Sequence, residues 1–194
     1  MVDFQRRDTH RDESEASTGT DEKQATEEHD HHAHDVASVG AAVVTISSSR
    51  TLDADPSGDA IRDLLEADGH RVVTREVIRD DRDRIQATVN QLVDRRDVDV
   101  VVTTGGTGVT PDDVTVEAVG PLFDKHLPGF GELFRRRSAE SVGTKVLATR
   151  ATAGVVDAVP VFVLPGSVDA VELGVDELLL PEVSHLVGLA GRDH

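Results

Sequence analysis

The sequence has no cysteine, so disulfide scaffolds, thiolate zinc sites and cysteine nucleophiles are excluded. It has no tryptophan or tyrosine and only 5 phenylalanines, which leaves nothing to build an aromatic stacking platform for single-stranded nucleic acid. Positive charge is scarce. Against 37 acidic residues stand 20 basic ones, a formal net charge of −17, and this excess argues against non-specific binding to a phosphate backbone. Lysine is scarcer still: only Lys23, Lys125 and Lys145 occur, and every other basic residue is arginine. An acidic, lysine-poor surface suits concentrated salt, where screening relieves self-repulsion, so a halophilic origin is expected. No apolar run approaches the roughly 20 residues that span a bilayer. The opening Met1-Val2-Asp3-Phe4 lacks the basic-then-apolar order of a signal peptide. The expectation is a soluble, cytoplasmic protein that binds neither membrane nor nucleic acid.

Residues 1–37 carry almost no large apolar side chains and are expected to be a disordered acidic arm. Within the arm lies Glu28-His29-Asp30-His31-His32-Ala33-His34-Asp35. Such a tract either binds transition metals weakly or is simply a solvated polar segment, the commoner case. The composition changes at Ser38, and residues 38–190 read as one domain followed by a short tail at 191–194.

The domain alternates strands and helices. Val39–Ile46 is a continuous small-apolar run ending in three serines, as a buried parallel strand would be. A helix is expected over Asp59–Asp68, a strand over Val72–Ile78, a helix over Asp81–Arg96 and a strand over Val98–Thr104. A helix over Asp113–His126, strands at Lys145–Ala148 and Val161–Leu164, and a closing helix from Val168 that Pro181 bends or ends complete the pattern. The alternation predicts a three-layer α/β/α domain with a mostly parallel sheet. Active sites in such sheets lie beyond the carboxyl ends of the strands.

The residues with chemical potential fall in those places. Thr103-Thr104-Gly105-Gly106-Thr107-Gly108 follows a β-branched strand. Its glycines permit positive φ and close approach, and successive N–H groups there can cradle an anion. The loop is neither a Walker A nor a dinucleotide fingerprint, and a glycine pair after a strand can also be only a tight turn. Asp112 and Asp113 follow it, and Asp80 and Asp81 follow the second strand. In each pair one acid can cap a helix. The other reading makes Asp80 and Asp113 ligands for Mg²⁺ carried by a polyphosphate, because Mg²⁺ prefers one or two carboxylates plus substrate phosphates. Leu164-Pro165-Gly166-Ser167 precedes a helix, either as an anion-facing turn or as an ordinary cap with Ser167 at its head. The Arg135-Arg136-Arg137 triplet fits a solvated helix face better than a substrate site, and Phe130 and Phe134 fit packing.

Together, TTGGTG at 103–108, Asp113-Val114-Thr115, PGFGE at 128–132, ATRATAGV at 148–155 and LPGS at 164–167 resemble the MoaB/Mog family of molybdenum-cofactor biosynthesis proteins over about Val39–Leu189. With PLFDKHLPGFGE the resemblance is to the MoaB branch. It implies a molybdopterin-binding domain, a homotrimer or homohexamer, and a molybdenum-insertase partner. The implied reaction joins molybdopterin and ATP into adenylylated molybdopterin, releasing pyrophosphate, with Mg²⁺ as cofactor. Carried over by position, Asp80 and Asp113 are the two essential acids and metal ligands. Gly105, Gly106, Thr107 and Gly108 hold nucleotide phosphates, Gly166 and Ser167 form the final ligand loop, and Thr149 and Arg150 match a Ser-Arg pair of the pterin pocket. Asp112 adds a negative charge that the family pattern lacks, and Val168 stands where adenylyltransferase members often have proline. Two alternatives follow: a non-catalytic molybdopterin-delivery scaffold, and a nucleotide pyrophosphatase of the competence-damage type.

Overall fold

The computed structural model describes residues 36–191. The His-rich tract of residues 28–35 lies outside them, and the described residues include no cluster of three or more metal-ligating side chains. No helix among them is long and apolar enough to cross a membrane.

Six strands form one sheet: β1 (Gly40–Ile46), β2 (Arg71–Ile78), β3 (Val100–Thr104), β4 (Lys125–His126), β5 (Thr152–Val156) and β6 (Val159–Leu164), in the order β2-β1-β3-β6-β5-β4. The pairs β1–β2, β1–β3 and β3–β6 are parallel, and β6–β5 and β5–β4 are antiparallel. The runs that read as buried strands are buried: all of β1, β3 and β6 is shielded from solvent. Burial on both faces is why these strands are continuously apolar rather than alternating.

The helices are α1 (Pro56–Ala67), α2 (Arg82–Val93), α3 (Thr115–Val119), α4 (Pro128–Val142), α5 (Val168–Glu172) and α6 (Val183–Ala190); a π-helical turn, Leu173–Leu179, continues α5. Along β1 the side chains alternate between two cores. Ala42, Val44 and Ile46 pack with Ile85, Val89 and Leu92 of α2 and Ala118 and Val119 of α3. Ala41 and Val43 pack on the opposite face with Ile61 and Leu65 of α1, Phe134 of α4, Val175 and Val183. The result is the three-layer arrangement expected.

Three expectations are corrected. Lys145–Ala148 is not a strand but part of a 3₁₀ segment, Gly143–Ala148, in which Leu147 is 86% exposed. The antiparallel strand is instead β5, whose Ala153-Gly154 pair carries little strand propensity. Its Gly154 is demanded by packing, since a Cβ there would overlap the Phe123 ring. The helix expected over Asp113–His126 is only α3 followed by a 3₁₀ turn, Gly120–Leu122, because Pro121 cannot continue it. Finally, α1 starts earlier than Asp59: Asp55 is its N-cap, accepting from Gly58 N at 3.1 Å, and Pro56 takes the first helical position. The phenylalanines of α4 do pack. Phe134 is fully buried and Phe130 meets Phe162 edge-on at 5.1 Å between ring centres.

Candidate functional site

From β1 the chain leaves to β2 on one side, and β3 lies on the other. The carboxyl ends of β1 and β3 therefore border the place where strand order reverses, which is where open α/β sheets bind ligands. A cleft of about 480 Å³ opens there. Its walls are the Ile46–Arg50 turn after β1, the glycine loop Gly105–Gly108 after β3, Asp113, Ala148-Thr149, and Pro165-Gly166-Ser167 after β6.

The glycine loop is locked from behind. Gly105 and Gly106 have φ of 100° and 64°, the left-handed region that favours glycine. A Cβ at Gly105 would run into the Ile46 carbonyl, and one at Gly106 into Thr115 Oγ1. Gly105 N donates to Leu164 O at 3.0 Å, Thr115 Oγ1 donates to Gly105 O at 2.9 Å, and Thr115 N donates to Gly106 O at 3.0 Å. The Gly106 and Thr107 N–H groups have no acceptor among the described residues, so two donors remain for a ligand. Gly166 closes onto this loop so tightly that a Cβ on it would stand 3.2 Å from Gly105 Cα. Thr104 Oγ1 ties the two loops together by donating to Pro165 O at 2.8 Å.

The two candidate carboxylates flank the loop. Asp81 caps α2, accepting from Arg84 N at 2.8 Å, which leaves Asp80 for the cleft edge. Asp80 Oδ2 accepts from Ser48 Oγ at 2.7 Å, and its Oδ1 lies 3.4 Å from where a Cβ on Gly106 would be. Asp113 does not cap α3; the N-cap is Val114, with no side-chain bond. The Asp113 carboxylate instead closes its own turn, its Oδ2 accepting from Thr110 N at 2.9 Å and Thr110 Oγ1 at 2.6 Å. Burial pushes its carboxyl upward, but the Thr110 and Gly108 hydrogen bonds and the nearby Arg150 charge outweigh that and hold it below the ordinary aspartate value. It is therefore ionised at neutral pH.

Thr149, Gly166 and Ser167 line the cleft, and Ser167 also caps α5, accepting from Ala170 N at 3.4 Å. Arg150 faces the back of the glycine loop. Its guanidinium donates to Thr107 O at 3.2 Å, to Asp113 O at 3.0 Å and to the Glu117 carboxylate. That hydrogen bond, against a smaller burial effect, draws Glu117 below its ordinary value. Arg150 thus braces the glycine loop and the Asp113 turn as one unit.

Sequence reasoning missed the cation of the cleft, Arg50. Its guanidinium donates to Ser57 Oγ at 2.8 Å, to Gly166 O at 3.1 Å and to Asp55 Oδ1 at 3.4 Å. Ser57 Oγ in turn donates to Gly166 O at 2.8 Å. Asp55 is wholly buried and also accepts from Thr45 Oγ1 at 2.7 Å and Arg75 Nη2 at 3.0 Å. Burial opposes ionisation of Asp55, yet those bonds and the Gly58 N–H hold its carboxyl below the usual value. The available signal was positional: Arg50 ends the polar turn after the first buried strand.

Residues 42–185 match a family model described as "Probable molybdopterin binding domain". The chain is 41% identical over 170 residues to the molybdenum cofactor biosynthesis protein B of Bacillus subtilis, covering 87% of this chain and 99% of that one. The chain belongs to the MoaB/Mog family of molybdenum-cofactor biosynthesis proteins. Solved structures of MoaB-type proteins are among those it superimposes on. One crystal structure of a molybdenum cofactor biosynthesis protein B superimposes with a TM-score of 0.78 at 43% identity, covering 80% of this chain and 98% of that chain. The tungsten cofactor synthesizing protein MoaB from Pyrococcus furiosus superimposes at 0.72 with 38% identity, over 80% and 98%. In this MoaB-type chain the family match spans every loop of the cleft, from Ile46 to Ser167.

Proposed function

We propose that this MoaB-type protein binds molybdopterin and adenylylates it with ATP and Mg²⁺, releasing pyrophosphate. The observation that carries the reading is the meeting of two loops, Gly105–Gly108 and Gly166-Ser167, in a cleft that Asp113 lines, with Asp80 approaching the glycine loop at Gly106. A reaction between two phosphorylated substrates calls for that combination of backbone donors and hard oxygen ligands.

The donor set fits Mg²⁺: Asp80 and Asp113 would hold it, with the Ser47–Ser49 hydroxyls beside them. When bound, Mg²⁺ offsets negative charge on the triphosphate. The protein's own groups do the rest. The Gly106 and Thr107 N–H groups orient a phosphate for in-line attack, and Arg50 lends the single positive side chain among the residues lining the cleft. The terminal phosphate of the pterin is itself the nucleophile, so no protein nucleophile is needed, in keeping with a chain that has no cysteine. Trimer or hexamer assembly and contact with a molybdenum insertase belong to the same proposal.

The test separates binding from turnover. Asp113→Ala should retain molybdopterin affinity, measured by pterin fluorescence, and lose AMP transfer. Tight pterin binding by wild type without transfer would favour the delivery-scaffold reading. ATP breakdown without pterin would favour the pyrophosphatase.

A further inference from the structure

A second cavity, of about 370 Å³, adjoins the cleft on the β2 side. Ser47, Ser49 and Arg50 line both. Its remaining walls are Ser48, Thr51, the end of β2 at Val77–Arg79, and Arg84. In a chain with 37 acidic and 20 basic residues, three arginines converge on a cavity whose lining includes no carboxylate. The Arg79 and Arg84 side chains have no hydrogen-bond or ion-pair partner among the described residues. Arg84 also lies in the first turn of α2, where the helix dipole disfavours a cation. An arrangement that is unfavourable in the empty protein becomes favourable once an anion is placed in it. The serine and threonine hydroxyls supply further donors.

Asp80 stands on the ridge between the cavities: Ser48, to which it is bonded, lines the arginine cavity, and its other oxygen approaches Gly106 of the cleft. A nucleoside triphosphate crossing that ridge would have its α-phosphate at the glycine loop and its β- and γ-phosphates among the arginines.

We infer that the Arg50–Arg79–Arg84 cavity is a diphosphate subsite that receives the leaving pyrophosphate; this rests on the adenylyl-transfer reading above. In that reaction an oxygen of the pterin phosphate forms a bond to the α-phosphorus of ATP. The bond from that phosphorus to the α–β bridging oxygen breaks, and the oxygen departs with the electron pair as part of pyrophosphate. The new negative charge develops at the mouth of the arginine cavity, where the exposed guanidinium groups of Arg79 and Arg84 are free to pair with it.

The direct test is titration calorimetry of the full chain with magnesium pyrophosphate at fixed ionic strength, beside measurement of AMP transfer to molybdopterin. Arg79→Gln/Arg84→Gln should bind pyrophosphate at least tenfold more weakly and raise the KM for ATP, with unchanged pterin affinity. Arg79→Lys/Arg84→Lys should recover part of the loss. Arg136→Gln/Arg137→Gln, which removes the same charge from the exposed face of α4, should match wild type. Wild-type pyrophosphate affinity in the Arg79→Gln/Arg84→Gln protein would overturn the subsite and leave adenylyl transfer standing. An equal loss in the α4 control would also overturn it, by reducing the effect to net charge. A wild-type protein that transfers AMP yet binds no pyrophosphate would contradict the subsite. One that does neither would remove the transfer reading and the subsite with it.

Discussion

Asp55 offers the sharpest test of how the cleft is held. It is a wholly buried carboxylate that accepts from Thr45, Gly58, Arg75 and Arg50, and through Arg50 and Ser57 it fixes the Gly166 carbonyl of the turn after β6. Removing one partner of a buried ion pair costs about 3–5 kcal/mol. Arg75 keeps Asp59 at 2.6 Å and the Asp55 main-chain oxygen at 2.9 Å, so the low end applies to Asp55→Ala, about 3 kcal/mol. Asp55→Asn preserves shape and one acceptor, and about 2 kcal/mol is expected. With a urea slope near 2 kcal/mol/M, the alanine midpoint should fall by about 1.5 M at unchanged slope. The pH dependence carries a sign. The folded carboxyl lies below its unfolded value of about 3.9, so the native state binds fewer protons and the stabilisation is complete above that value. It fades as pH falls through the lowered folded value. The gap between wild type and Asp55→Asn should therefore be flat from neutral pH to about 5 and narrow below about 4. An alanine cost below 1 kcal/mol, or a gap that widens in acid, would refute the reasoning.

Other expectations follow from the same contacts. Arg150→Lys should fail to replace arginine, because one ammonium cannot reach Thr107 O, Asp113 O and Glu117 in a fixed fork; a KM for ATP severalfold higher than wild type, with little change in urea midpoint, is the expected readout. Gly105→Ala should destabilise by at least about 1–2 kcal/mol from positive φ alone, before its contact with the Ile46 carbonyl, and thermal unfolding will measure it. If the acidic, lysine-poor surface is an adaptation to salt, the unfolding midpoint should rise steadily from low to molar KCl; a flat profile would remove that reading.

Much of the fold could be read from the sequence because β1, β3 and β6 are unbroken apolar runs, and α2 shows one apolar stripe of Ile85, Val89, Leu92 and Val93. The misreadings have local causes. Lys145-Val146-Leu147-Ala148 looks like a strand by composition, whereas β5 begins Thr152-Ala153-Gly154 and takes its identity from pairing between β4 and β6 and from the Phe123 ring above Gly154. Helical spacing after Asp113 hid the break that Pro121 imposes. In the cleft, the glycine loop, Asp80, Asp113, Thr149 and the Gly166-Ser167 turn were visible as residues placed just after strands or in the family's pattern. Arg50, Asp55 and Ser57 were not, since their importance lies in hydrogen bonds that reach across more than a hundred residues to Gly166.

The most direct measurement follows label from α-labelled ATP onto molybdopterin, using purified protein, Mg²⁺ and high-salt buffer, with Asp80→Ala, Asp113→Ala and a pterin-free control in parallel. Labelled, adenylylated pterin is expected from wild type, from neither variant, and only when pterin is present. Pterin bound by wild type without label, or label transfer undiminished in both variants, would contradict the assignment of this cleft to adenylyl transfer.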